Sequence, residues 1–344
     1  MKRTATLILL LVLLCGCTAA PAKPDDTGLN RYEATFLTLF DTVTTIVGYA
    51  ETEEAFTDTA QVFHDELLEY HQLYDIYNEY EGINNIKTIN DHGWEHPIKV
   101  DQRIIDLLLF SKELYTQTEG RVNIAMGSVL RLWHDARETG IADPSRAALP
   151  DQAALEQAAA HTDIDSIQID VEESTVFLSD PEVKLDVGAI AKGYAVEQVC
   201  RNTPSGLLIS VGGNVCPTGP KPESGQPWVV GIQDPEDPEQ YLHTVYVEDV
   251  SVVTSGDYQR YFTVDGVPYH HIIDPDTNYP AGYWRSVTIL CRDSGVADAL
   301  STALFTLPQE EGQALLDAFQ AEAMWARQDG TILYSPGFQA YIRI

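Results

Sequence analysis

Cysteine is scarce in this chain of 344 residues. There are five, of which Cys15 and Cys17 lie at the extreme N-terminus and only Cys200, Cys216 and Cys291 follow. Three thiols without a Cys-x-x-Cys spacing exclude a disulfide framework and a zinc ribbon. One pair among them is compatible with an oxidising compartment, although buried free thiols are the simpler reading. Basic side chains are also few: 21 Lys and Arg stand against 52 Asp and Glu, a formal charge of −31. Such a balance excludes nucleic acid or an anionic membrane surface as a general partner. Any site for a phosphorylated ligand must then be built locally, from a few cations, backbone amides and metal ions. Apolar residues make up 44% and aromatic residues 9% of the chain. That is ordinary for a globular protein, so the acidity reads as a solvated surface and not as disorder.

The N-terminus carries Lys2 and Arg3, an apolar run from Leu7 to Leu14, and then Leu14-Cys15-Gly16-Cys17. These are the charged, apolar and small-residue regions of a secretory signal, too short to span a membrane as a helix. The Leu-Cys-Gly-Cys ending resembles a bacterial lipobox. It implies cleavage before Cys17, acylation of Cys17, and anchoring at the extracytoplasmic face of the cell membrane; ordinary cleavage near Ala20 is the alternative. On this reading residues 1–16 are the signal peptide, 17–33 a flexible tether and 34–344 the folded domain. Losing Lys2 and Arg3 with the leader takes the charge from −31 to −33. The folded part exceeds one typical core and predicts one large domain or two intimately packed subdomains.

Residues 34–50 are rich in Thr, Val and Phe, as in a strand or bent strand pair. Ala55, Val62, Phe63, Leu67 and Tyr70 form a helical stripe over 53–74, and Asp101 is placed to cap a helix over 101–118. Residues 134–150, with mixed charges, Gly and two Pro, read as an exposed excursion; a helix over 151–160 and strands at 166–170 and 175–179 follow. The second half reads as strands at 206–211, 227–232, 242–247, 251–254, 260–264, 269–273 and 285–291, helices at 296–306 and 309–319, and a closing hairpin over 323–334. Strand runs with interspersed helices predict an α+β fold with mixed or antiparallel sheets.

Four segments carry chemistry. In Leu-Asp-Val-Gly-Ala-Ile-Ala-Lys-Gly (185–193), Asp186 precedes a turn of small residues and Lys192 opens a helix. Backbone amides, a helix N-terminus and a mobile cation suit an anion such as phosphate, although a plain strand-to-helix corner has the same composition. Thr254-Ser255-Gly256, followed by Arg260, offers hydroxyls, amides and a guanidinium to phosphate, or is a turn with an exposed Arg. His270-His271 before Asp274-Pro275 supplies a candidate general base or a capping His. On a helix, Asp298 and Thr302 present their oxygens four residues apart on one face. That pair suits a magnesium ion sharing a substrate phosphate; the alternative is a first-turn charge and a Thr bonded back to a carbonyl.

Six segments occur in order: Asp186 to Val196, Val-Gly-Gly-Asn (211–214), Trp-Val-Val-Gly-Ile-Gln-Asp-Pro (228–235), Thr-Ser-Gly-Asp-Tyr-Gln-Arg-Tyr-Phe (254–262), His-Ile-Ile-Asp-Pro-Asp-Thr (271–277) and Ala-Asp-Ala-Leu-Ser-Thr-Ala-Leu (297–304). Together they resemble the ApbE family of FAD:protein FMN transferases, over about residues 35–340. The resemblance implies an α+β fold with a flavin cleft between two packed parts. It implies that Asp186 and Lys192 contact FAD, and that Ala189, through its carbonyl, holds Mg2+ with Asp298 and Thr302. Phe40, Tyr77 and the loop Ala125-Met126-Gly127 fall where the family meets the flavin, and Ser255, Gly256, Arg260 and Ile272 complete the cofactor-binding set. Two positions depart from the family pattern. Asn278 replaces a Gly, and Asp41-Thr42 replaces Gly-Thr; Asn tolerates the left-handed conformation such a loop needs.

The implied reaction is attack by a Thr or Ser hydroxyl of an acceptor flavoprotein on the FMN-side phosphorus of FAD, with AMP expelled and His271 taking the acceptor proton. A metal-dependent FAD pyrophosphatase and a flavin-storing lipoprotein are the rival readings.

Overall fold

The computed structural model describes residues 28–343; the signal peptide, Cys17 and most of the tether lie outside the described residues, as does the side chain of Thr38. One eight-stranded sheet organises the molecule. Its strands are β1 (Asn30–Leu39), β2 (Thr42–Ala50), β3 (Leu207–Val211), β4 (Asn214–Pro217), β5 (Ser251–Gly256), β6 (Ser286–Cys291), β7 (Glu322–Ala326) and β8 (Ile332–Tyr334). Their order across the sheet is their order along the chain, and every neighbouring pair is antiparallel. β1 begins at Asn30, so the end of the stretch read as tether is already strand.

The described residues include eight α-helices: α1 (Glu53–Tyr74), α2 (Ile86–His92), α3 (Gln102–Gln117), α4 (Gly127–Ala142), α5 (Gln152–Ala159), α6 (Ala191–Asn202), α7 (Ser294–Phe305) and α8 (Gln309–Phe319). The first six fill the single connection from β2 to β3. Local chemistry explains their starts. Thr52 accepts the Ala55 N–H at 3.2 Å, with Glu53 and Glu54 in the first turn of α1. Phe56, Ala60, Phe63 and Leu67 then place one apolar stripe against the core. Asp293 caps α7 through the Val296 N–H at 2.9 Å. Ala297, Ala299, Leu300, Ala303 and Leu304 bury that helix on nearly all sides, as expected of a core helix.

Strand alternation divides the sheet between two cores. Val253, Val287, Ile289, Ala323 and Trp325 face the helices. Val252, Leu290 and Met324 face the other way, under a hairpin of Trp228–Gln233 and Tyr241–Val247 that contributes Trp228, Val230, Ile232 and Val245. A third cluster (Met126, Val129, Trp133, Leu155, Phe262 and Ile273) joins α4 and α5 to a hairpin of Tyr261–Val264 and Val267–His270. The fold is α+β with antiparallel sheets.

Several elements differ from the sequence reading, α2 among them, which has no counterpart in it. Residues 134–142 are the second half of α4, and its buried Trp133 donates to the Asn278 carbonyl at 2.9 Å. Its outward charges hid the inward stripe. The strand expected over 269–273 breaks after His270 and resumes as Ile273–Asp274. β4, which ends in Pro217, is too short to have shown a pattern. Asn278, as anticipated, lies at φ 59°, and Cys200, Cys216 and Cys291 are free and buried.

α6 crosses α7 at Gly193, where a Cβ would overlap the Asp298 Cβ and the Ser294 carbonyl. Gly193→Ala should therefore push the helices apart and lower stability by about 1–3 kcal/mol, the usual cost of overpacking. Urea unfolding measures it; an unchanged midpoint would show that the crossing is not tight.

Candidate active site

Three strand ends meet at one end of the sheet. The two-residue turn Phe40-Asp41 joins β1 to β2, Gly212-Gly213 joins β3 to β4, and Thr254-Ser255-Gly256 closes β5. Gly212 lies at φ 52° with the Thr42 side chain where a Cβ would be, so only glycine brings the two turns together. The loop 186–190, the start of α6 and one face of α7 form a second side of the resulting cleft. α4 and the 261–270 hairpin form a third. The cavity has a volume of 440 Å³.

At one end, Asp298 is only 4% exposed. Its Oδ2 accepts the Gly193 N–H at 2.7 Å and its Oδ1 pairs with Lys192 Nζ at 3.2 Å. Lys192 Nζ also donates to Asn214 Oδ1 at 3.2 Å, and Asn214 Nδ2 is buried without a hydrogen-bond partner. Thr302, one turn along α7 from Asp298, and Ala189 line the same cavity. Asp186 Oδ1 accepts the Gly188 N–H at 2.9 Å. Burial pushes the Asp186 carboxyl up from its ordinary value, against the opposing pull of the Gly188 bond and of His134, Arg260 and Arg137. Asp298, Thr302 and Ala189 offer hard oxygen donors. Oxygen donors without a thiolate or imidazole are the chemistry that suits magnesium and not zinc. A cation, the Lys192 ammonium, already rests on the Asp298 carboxylate.

The opposite wall is aromatic and basic. Tyr77 stacks on His134, with centroids 5.1 Å apart and planes at 29°. Arg137 donates to His134 Nδ1 at 3.0 Å. Burial, then the charge of Asp186, pushes the Tyr77 hydroxyl up to about 12. The two neighbouring histidines differ sharply. His270 donates from Nε2 to the Ala281 carbonyl at 2.8 Å and accepts the Ile272 N–H on Nδ1 at 3.2 Å, so both its nitrogens are engaged. His271 Nδ1 is buried with no partner. Burial, then the charges of Arg260, His270 and Arg137, pushes His271 down to about 3. No ion pair engages Arg260 among the described residues.

Phe40, Tyr77, Met126, Asp186, Ala189, Lys192, Ser255, Gly256, Arg260, His271, Ile272, Asp298 and Thr302, singled out from the sequence, all line this one cavity. Ala125 and Gly127 do not. Ala125 is fully buried, and a Cβ at Gly127 would overlap the Lys184 carbonyl, so these two small residues serve packing behind Met126. Ser255 turns its hydroxyl to Ser301 Oγ at 2.7 Å, and Lys192 is committed to Asp298 and Asn214. His134 and Arg137 are absent from the sequence reading, because the second half of α4 reads there as part of an exposed excursion. The spacing of Val129, Trp133 and Arg137 was the available signal. Cys17 lies outside the described residues.

His271 gives a pH test. Its folded pKa of about 3 lies below the ordinary value of 6.5. Between those values the unfolded chain binds a proton that the folded chain refuses, so stability rises with pH through that window and is lost on acidification. The urea midpoint of His271→Asn should fall less than that of the parent between pH 7 and pH 4. Parallel curves would place His271 in water.

A model of the ApbE family matches residues 40–325. The FAD:protein FMN transferase of Treponema pallidum is 34% identical over 278 residues, covering 75% of this chain and 75% of that protein. The FAD:protein FMN transferase of Klebsiella pneumoniae is 32% identical over 266 residues, covering 74% of this chain and 79% of that protein. The crystal structure of the ApbE protein from Thermotoga maritima matches with a TM-score of 0.81 at 29% identity, over 92% of this chain and all of that one (100%). The flavin transferase ApbE from Vibrio cholerae shares the fold, with a TM-score of 0.74 at 23% identity over 91% of this chain and 99% of its own. With these matches and one cleft gathering segments from the whole length of the fold, the chain belongs to the ApbE family.

Proposed function

We propose that this protein transfers FMN from FAD to a Thr or Ser hydroxyl of an acceptor flavoprotein, leaving a phosphoester and releasing AMP. The relatives named above as FAD:protein FMN transferases support the reaction. The observation that carries it in this chain is the pairing, within one cavity, of an aromatic wall with a buried carboxylate that already holds a cation. Phe40 and Tyr77 suit the flavin ring, and Lys192 and Arg260 supply local positive charge for the pyrophosphate in an otherwise acidic protein. Phosphoryl transfer depends mainly on such positioning and electrostatics.

His271 takes the proton of the acceptor hydroxyl, since its buried Nδ1 has no hydrogen-bond partner in the protein. Burial first, and then the charges of Arg260, His270 and Arg137, make it a weak base. The negative charge of a bound pyrophosphate offsets those cations and raises its basicity towards neutral pH. Asp298, Thr302 and the Ala189 carbonyl would hold Mg2+. That ion, when bound, would neutralise the anhydride and stabilise the departing AMP. The leader and Cys17 support a lipid-anchored protein on the extracytoplasmic face of a bacterial membrane, with no part for nucleic acid.

Asp298→Asn tests the site better than Ala, because Asn keeps an acceptor for the buried Gly193 N–H. The variant should lose transfer by on the order of 100-fold or more, the scale of one lost electrostatic contact to the reacting phosphate, and EDTA should abolish transfer by the parent. Mass spectrometry of a Thr-bearing acceptor, after incubation with FAD and Mg2+, reads the covalent FMN adduct. Free FMN and AMP made equally fast without acceptor would identify a pyrophosphatase instead, and intact FAD a storage protein.

A further inference from the structure

The β1–β2 turn places two consecutive residues, Phe40 and Asp41, at φ 52°. Asp41 is a residue that such a turn tolerates, but Phe40 is bulky and strained there. Something outside the turn must hold it. A chain of hydrogen bonds running in one direction does so.

Phe40 N–H donates to His71 Nδ1 at 3.2 Å, so that nitrogen carries no proton and Nε2 does. Nε2 lies 3.4 Å from the Tyr80 hydroxyl oxygen. The one hydroxyl proton of Tyr80 goes to Asp75 Oδ2 at 2.7 Å, which leaves the phenolic oxygen to accept from His71. Asp75 ends the chain. Its Oδ1 also accepts the Tyr77 N–H at 2.6 Å and the Asn78 N–H at 3.0 Å, and its Oδ2 the Asn78 amide at 2.9 Å. Burial opposes ionisation of Asp75, but the bonds from Asn78, Tyr77 and Tyr80 outweigh it and hold the carboxyl below its ordinary value. Burial and the bond to Asp75 push the Tyr80 hydroxyl well above the ordinary phenol range, so its proton stays on the ring oxygen. The imidazole of His71 also meets the Phe40 ring edge-on, at 5.5 Å and 69°. One carboxylate therefore reaches the backbone N–H of two aromatic residues that line the cleft, Tyr77 directly and Phe40 through two relays.

We propose that Asp75, acting through Tyr80 and His71, is a positioning residue that sets Phe40 and Tyr77 together for the flavin ring of FAD. The inference rests on the functional reading above.

Tyr80→Phe deletes the chain while keeping the ring. Equilibrium dialysis with FAD, in EDTA so that no turnover occurs, compares the parent, Tyr80→Phe, Phe40→Ala and the double variant. Tyr80→Phe should weaken FAD binding about five- to tenfold, as the loss of one or two such bonds predicts. In turnover it should raise KM for FAD more than it lowers kcat. On a Phe40→Ala background the same substitution should cost less than about twofold, since there is no longer a ring to orient. Asp75→Asn repeats the comparison should Tyr80→Phe fold poorly. Equal penalties on both backgrounds, or a lowered melting temperature with FAD affinity unchanged, would overturn the inference and make the network purely structural. A parent that binds FAD neither in EDTA nor with Mg2+ would remove the functional reading as well, which separates the two failures.

Discussion

The contact on which the cleft depends is the carboxylate of Asp298, clasped at once by the Gly193 N–H and the Lys192 ammonium. It pins the first turn of α6 to the middle of α7 and brings a buried negative charge to the cleft wall. Breaking one side of such a pair leaves an uncompensated charge, which costs more than the pair itself contributes. The glycine is part of the same constraint, because no side chain fits between the helices there. A cation from the first turn of α6 and a carboxylate from α7 thus arrive in register without either lying on a strand.

Around that contact the protein solves a charge problem. Its surface is strongly acidic, yet the cleft collects Lys192, Arg137, Arg260 and Arg121. Arg121 is matched by Asp274 and Asp276, while no ion pair engages Arg260 among the described residues. The positive charge available to an anion is therefore local and held on separate elements, so it exists only once the chain is folded. Burial, reinforced by the charges of Arg260 and Arg137, keeps His271 neutral, so the basicity of that residue depends on the charges brought near it.

Aromatic placement follows a different logic. Phe40 occupies a backbone conformation that its own side chain disfavours, and the compensation comes from a histidine and a tyrosine elsewhere on the chain. Strain at a cleft, stabilised by hydrogen bonds behind it, keeps a ring oriented where packing alone would let it rotate.

Much of this was legible in the sequence. The stripe of α1, the Asp101 cap and the antiparallel strand runs follow from periodicity and capping chemistry, which act over a few residues. The motif residues Asp186, Lys192, Asp298 and Thr302 were visible because their spacing within each segment is local too. What periodicity and spacing could not yield was the relation between segments, which entered only through the family resemblance. That Lys192 would spend its charge on Asp298, that Ala125 and Gly127 would lie behind Met126, and that α4 would bring His134 and Arg137 to the cleft are consequences of long-range packing. Propensity and spacing fix which element a residue belongs to; only the closing of the sheet against its helices decides which residues share a cavity, because those distances are set by the whole core.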